Sequence, residues 1–86
     1  MADVACFEIP GLKCWFWSSD HNPPHFHVKR VGEWEMKVNF LEQNEDEVFE
    51  LVWGDCPRSK VLKTIQKAVT ANRDALLAEW ETKVNQ

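Results

Sequence analysis

Glu33-Trp34-Glu35-Met36-Lys37-Val38-Asn39-Phe40 is apolar at every second position and polar between them. A strand, whose side chains alternate across its two faces, turns that pattern into one apolar face and one wet face. Trp34, Met36, Val38 and Phe40 are expected to point inward, and Glu33, Glu35, Lys37 and Asn39 outward. Such a strand belongs to an antiparallel sheet with one solvated side.

Working outward, Gly32 marks a tight connection to His25–Val31. There Phe26 and Val28 share one face, and His25, His27 and Lys29 share the other. Further upstream, Pro10-Gly11 is a turn signal. Leu12–Ser18 follows as an aromatic-rich strand, with Leu12, Cys14 and Phe16 on one face and Lys13, Trp15 and Trp17 on the other. The polar stretch Ser18–Pro24 is a loop; Pro23 and Pro24 lack N–H donors and suit the start of a strand better than its middle. Downstream, Gln43–Glu47 reads as a polar loop and Val48–Trp53 as a fourth strand, ended by Gly54-Asp55-Cys56-Pro57. An additional strand before Pro10 would place Phe7 and Ile9 on one face.

From Arg58 the period changes. Leu62, Ile65, Val69, Leu76, Trp80 and Val84 recur at helical spacing, which predicts a helical C-terminal third. Asp55 or Ser59 could cap its start, with Pro57 in the first turn. Asn72, followed by Asp74, is a good N-cap. Two helices meeting there are the favoured reading, and one kinked helix is the close alternative. The expected fold is α+β: an antiparallel meander of four to five strands, covered on one face by the C-terminal helical segment. A single domain over residues 1–86 is expected, with strands within 4–53 and helices within 57–84. Its core should bring Phe26, Val28, Trp34, Met36, Val38 and Phe40 against Leu62, Ile65, Val69, Leu76 and Trp80.

Five Trp and five Phe, with no Tyr, supply the bulk that an 86-residue chain needs for a core. The net charge of -4 argues against non-specific nucleic-acid binding, which needs a basic face. The charge is uneven: residues 41–56 hold six acids and no base, and residues 57–86 hold six bases and three acids. Acids crowding a loop and bases decorating a helix surface explain this. Cys6, Cys14 and Cys56 are odd in number and widely spaced, which excludes zinc-ribbon and C-x-x-C redox patterns. The N-terminal residues have no signal-peptide pattern, and no apolar run reaches membrane-spanning length. A cytoplasmic location with no membrane association is the expectation.

Chemistry concentrates in Asp20-His21-Asn22-Pro23-Pro24-His25-Phe26-His27. Residues two apart on a strand project from one face, about 7 Å apart at the backbone. His25 and His27 could therefore grip a divalent metal such as Zn, with His21 and Asp20 completing the site, or Cys14, Cys56 or acids from afar. The same two imidazoles could work as general acid and base. Lys29, Lys13 or Arg30 would then steady a phosphate, and Glu33 or Glu35 would orient a ring. Read from the residues alone, the leading reading is that His25 and His27 are scaffold residues that hold the Asp20–Pro24 loop, satisfying its carbonyls through their ring nitrogens. Trp15 and Trp17 are read as packing residues, with binding use as the alternative.

The run Trp17-Ser18-Ser19-Asp20-His21-Asn22-Pro23-Pro24-His25-Phe26-His27-Val28, with Gly32 and a late helix containing Leu76, Leu77 and Trp80, resembles a small bacterial family, domain of unknown function 4160. The resemblance runs from about Gly11 to Trp80, and the Pro-Pro-His-x-His core is its specific part. It implies that His25, His27 and an acid near Asp20 recur while the His21 position varies. It also implies a small protein partner of the domain of unknown function 2442 type, encoded nearby. The pair would form a toxin–antitoxin-like module with this chain as its toxin-like member, acting on RNA. Whether the chain is an enzyme or a protein-interaction module stays open at the level of sequence.

Overall fold

In the computed structural model, which describes residues 2–18 and 23–84, the elements follow the alternation read above. They are β1 Ala2–Asp3, β2 Lys13–Phe16, β3 Phe26–Arg30, β4 Trp34–Val38, α1 Glu45–Val48, β5 Phe49–Gly54 and α2 Ser59–Lys83. The five strands form one antiparallel sheet in sequence order, β1-β2-β3-β4-β5. The fold is α+β, a five-stranded antiparallel meander followed by a C-terminal helix.

Alternation decides which side meets the helix. Phe16, Phe26, Val28, Met36 and Val38 are fully buried with Phe40, and they share one core with Ile65, Val69, Leu76 and Trp80 of α2. Leu62 packs at its margin. Phe7 and Phe40 flank the Phe26 ring at centroid distances of 5.6 and 6.3 Å. Arg73 Nε of α2 donates to the Phe40 carbonyl at 3.0 Å, fastening the helix to the end of β4.

Four local expectations change. The strand before Pro10 is Ala2–Asp3, paired with Phe16 and Trp15, and does not include Phe7 or Ile9. The Pro10-Gly11 turn, with Gly11 at φ 82°, sends residues 7–9 across the sheet end, where Ile9 is buried and Phe7 packs on the core. The Gln43–Glu47 stretch is not all loop. Its second half begins α1, capped by Asn44 Oδ1 accepting from the Asp46 amide at 3.0 Å. Neither Asp55 nor Ser59 caps α2. Arg58 holds the N-cap position, its carbonyl accepting from Val61 and Leu62, with no side-chain cap. Finally, α2 is one helix kinked at Asn72 (φ -128°, ψ 20°), where the side-chain amide donates to the Ala68 carbonyl at 2.8 Å. This is the kinked-helix alternative; both halves keep their apolar residues on the same core.

The sheet is irregular at β5. Met36 pairs with Leu51, but Glu35 pairs with Trp53, so Val52 is the extra residue of a bulge. Gly54 closes this strand at φ 85°, its Cα set against the Glu33 carbonyl and the Trp34 backbone. No helix among the described residues is long and apolar enough to cross a membrane.

Candidate functional site

The sheet face turned away from the core presents two cross-strand rows. One runs Trp15–His27–Lys37–Glu50, the other Lys13–Lys29–Glu35–Trp53. The rows are a direct consequence of period two in β2 to β4, carried across the sheet by register. The Trp15 ring stacks on His27 at 5.4 Å, and Lys29 Nζ lies 5.3 Å from the Trp15 ring centroid. Trp17, 42% exposed, stands edge-on to both Trp15 (6.1 Å) and His27 (6.3 Å).

His25 sits just before β3, directly after Pro23 and Pro24. Its ring lies 5.3 Å from that of His27 and 5.3 Å from Trp80 of α2. Nδ1 of His25 is 2.8 Å from the Pro23 carbonyl oxygen. A carbonyl only accepts, so this nitrogen carries the proton and Nε2 the lone pair in the neutral ring. Nδ1 of His27 faces Glu35 Oε2 at 3.6 Å, ion-pair distance. Of the two candidate glutamates it is Glu35 that faces a histidine, because its diagonal position across β3 and β4 brings it next to His27. Glu33 lies on the turn and faces Arg30 Nε at 3.8 Å. Both rings are largely covered, His25 at 4% and His27 at 8% exposure. The indole N–H of Trp15 is buried with no acceptor among the described residues.

Lys37 lies 3.6 Å from Glu50 beside this site. Glu50 also accepts from Asn39 Nδ2 at 2.9 Å, and Asn39 Nδ2 donates again to the Glu47 carbonyl at 2.8 Å. These bonds explain why Asn39, outward by alternation, is buried. The Asn39 hydrogen bond holds the Glu50 carboxyl below its ordinary range; slight burial pushes it up, and Lys37 adds to the lowering.

Of the residues singled out in the sequence, His25, His27, Trp15, Trp17 and Lys29 converge. Lys13 is opposite Lys29 in the register, one row away. Arg30 is drawn off to the turn. Asp20 and His21 lie outside the described residues. Cys14 faces the core, where burial pushes its thiol up to about 12. Cys56 is exposed beyond β5. Among the described residues no group of three or more His, Cys, Asp or Glu is placed to hold a metal ion. Trp80 was legible only as a core residue. Its contact with His25 depends on where the kinked helix meets the sheet end, and no spacing in the sequence encodes that.

Neither a curated protein nor a solved structure matches the chain. A family profile does match, over residues 11–81, from the Gly11 turn through β2 to β5 and nearly all of α2, with both histidines inside it. The chain thus belongs to the family described as Domain of unknown function (DUF4160).

Proposed function

We propose that this protein is the toxin-like member of a two-protein module and acts on RNA, with His25 and His27 as an acid–base pair. The observation that carries the reading is the pairing of the two rings at 5.3 Å, with His25 Nδ1 hydrogen-bonded to the Pro23 carbonyl at 2.8 Å and His27 Nδ1 at ion-pair distance, 3.6 Å, from Glu35 Oε2. A ring held through Nδ1, as His25 is, can use Nε2 as its working nitrogen in general acid–base chemistry.

In this reading Nε2 of His25 takes the proton of a ribose 2′-hydroxyl. The 2′-oxygen attacks the adjacent phosphorus, and the 5′-oxygen leaves with a proton from protonated His27. The products are a 2′,3′-cyclic phosphate and a free 5′-hydroxyl. Glu35 complements the charge of His27 while it carries that proton. Lys29 and Lys37 offset charge on the phosphate, and the exposed Trp17 offers a stacking surface for a base. Of the six acids of residues 41–56 only Glu50 lies in the rows that carry Lys13, Lys29 and Lys37, and it is paired there with Lys37.

The test is incubation of purified protein with end-labelled single-stranded RNA. The expected result is cleavage to cyclic-phosphate ends, reduced about 100-fold or more in His25→Ala and in His27→Ala, with circular dichroism unchanged. A folded wild-type protein that leaves RNA intact would sink the reading. So would a double variant that cleaves as well as wild type.

A non-enzymatic second reading is favoured by the cover over both rings and by the contact of His25 with Trp80. There the histidines brace the sheet end against α2 and the protein works by binding its partner. Unfolding of both alanine variants would favour it.

A further inference from the structure

β5 is an edge strand, pairing only with β4 among the described residues. The opposite edge, β1, is two residues long and is strapped to α2: Glu79 accepts from the amides of Ala5 and Cys6, and Lys83 donates to the Asp3 carbonyl. β5 is six residues long. It exposes Leu51, Val52 and Trp53 at 47, 51 and 46%. Natural edges are usually blunted by lysine, proline or brevity, and this one has none of these, only the Val52 bulge.

The direction of its free hydrogen-bonding groups follows from the ladder. The Asn39 amide donates to the Val48 carbonyl at 2.7 Å, which makes 39/48 a hydrogen-bonded pair. By antiparallel alternation Lys37/Glu50 is the next, so Phe49 and Leu51 turn their N–H and C=O groups to the open side. Beside this edge, a crevice of about 310 Å³ lies between β5 and the first turns of α2, lined by Asp46, Phe49, Ser59, Leu62, Lys63 and Gln66. Free main-chain groups next to an apolar crevice under a helix are the two parts of strand addition. The first gives affinity, and the second selects side chains.

Charge selects the occupant. The edge is flanked by the exposed carboxylates of Asp46, Glu47 and Asp55 and by Glu50, which Lys37 pairs; residues 41–56 hold no base, and Lys63 is the base that lines the crevice. A second copy of β5 would bring acid to acid, whereas a basic strand would be complemented.

We infer that β5 and the crevice beneath α2 form the docking site for an extended, basic segment of a partner protein, which adds as a sixth strand and seats an apolar side chain between Phe49 and Leu62. This deepens the two-protein part of the proposed function and is independent of the histidine chemistry.

The experiment is selection of a displayed library of random twelve-residue peptides on the purified full chain, followed by titration of the synthesised winners. The expected winners alternate apolar residues with Lys or Arg. Their binding should weaken at least tenfold in Leu51→Lys and in Trp53→Lys, both at exposed positions and each checked for native circular dichroism, and should fall with added salt. Winners without basic residues, winners indifferent to both variants, or no winners at all would overturn the inference. A concentration-dependent wild-type dimer abolished by Leu51→Lys would overturn it too, by making a second copy the occupant. RNA cleavage by Leu51→Lys is expected to equal wild type, so docking and cleavage fail or succeed separately.

Discussion

Glu79 gathers more donors than any other carboxylate described above. The amides of Ala5 and Cys6 reach it at 2.8 and 2.9 Å, and Lys83 Nζ at 2.6 Å. Burial pushes its carboxyl up, but the Cys6 thiol, Lys83 and the two amides outweigh that and hold it below the ordinary value of 4.5. A carboxyl whose folded value is depressed stabilises fully above its unfolded value, and that stability is lost as pH falls through the folded one. Glu79→Gln should therefore cost about 1 kcal/mol at neutral pH. The gap to wild type should close in acid, as read by urea titrations across pH. The cysteines make a second test. Burial, with the Glu79 hydrogen bond and charge behind it, pushes the Cys6 thiol up to about 12, and burial alone does the same for Cys14. Thiolate is the reactive form. Iodoacetamide should thus label exposed Cys56 in the native protein and all three cysteines only in denaturant, with mass spectrometry counting the adducts.

At the level of elements, three positions have backbone conformations that a substitution would test: Gly54, Gly32 and Asn72. At Gly54, φ is 85°, and an added Cβ would collide with the Glu33 carbonyl oxygen and come within 2.7 Å of Trp34 Cα. Gly54→Ala should destabilise by about 2–4 kcal/mol, from positive φ and backbone overlap together. Gly32 also has a positive φ but open space around it, so Gly32→Ala should cost about 1 kcal/mol, the conformational part alone. Comparing the two midpoints separates collision from conformation. At Asn72 two effects oppose. Alanine is the better helix former by about 0.5 kcal/mol, but Asn72→Ala deletes the bond to the Ala68 carbonyl, worth about 1 kcal/mol. A net change within about 1 kcal/mol is expected.

For the whole molecule, the aromatic core sets the margin. Phe26 is fully buried between Phe7 and Phe40, so Phe26→Ala should lose about 3–5 kcal/mol. A domain of this size has about 5–10 kcal/mol in all, and the variant should melt well below wild type by calorimetry. The molecule also keeps its two candidate surfaces apart. The aromatic–histidine end of the open face lies on β2 and β3, and the bare acidic edge lies on β5 with β4 between them. A partner on β5 can therefore bind without covering His25 or His27.

The meander and its helix were legible because period two in residues 33–40 and helical spacing from Leu62 to Trp80 are local consequences of burying one face. The sharing of one strand face by His25, His27 and Lys29, and of another by Trp15 and Trp17, followed from the same parity; the register of β2 with β3 joined the two. The carboxylate next to a histidine was narrowed to Glu33 and Glu35 by sequence. Register then chose Glu35, because which diagonal neighbour meets His27 depends on how β3 pairs with β4. The burial of Asn39, the contact of Trp80 with His25 and the open edge of β5 with its crevice were decided by tertiary structure alone. Each arises where elements distant in sequence meet, and no periodicity within a single element records that meeting.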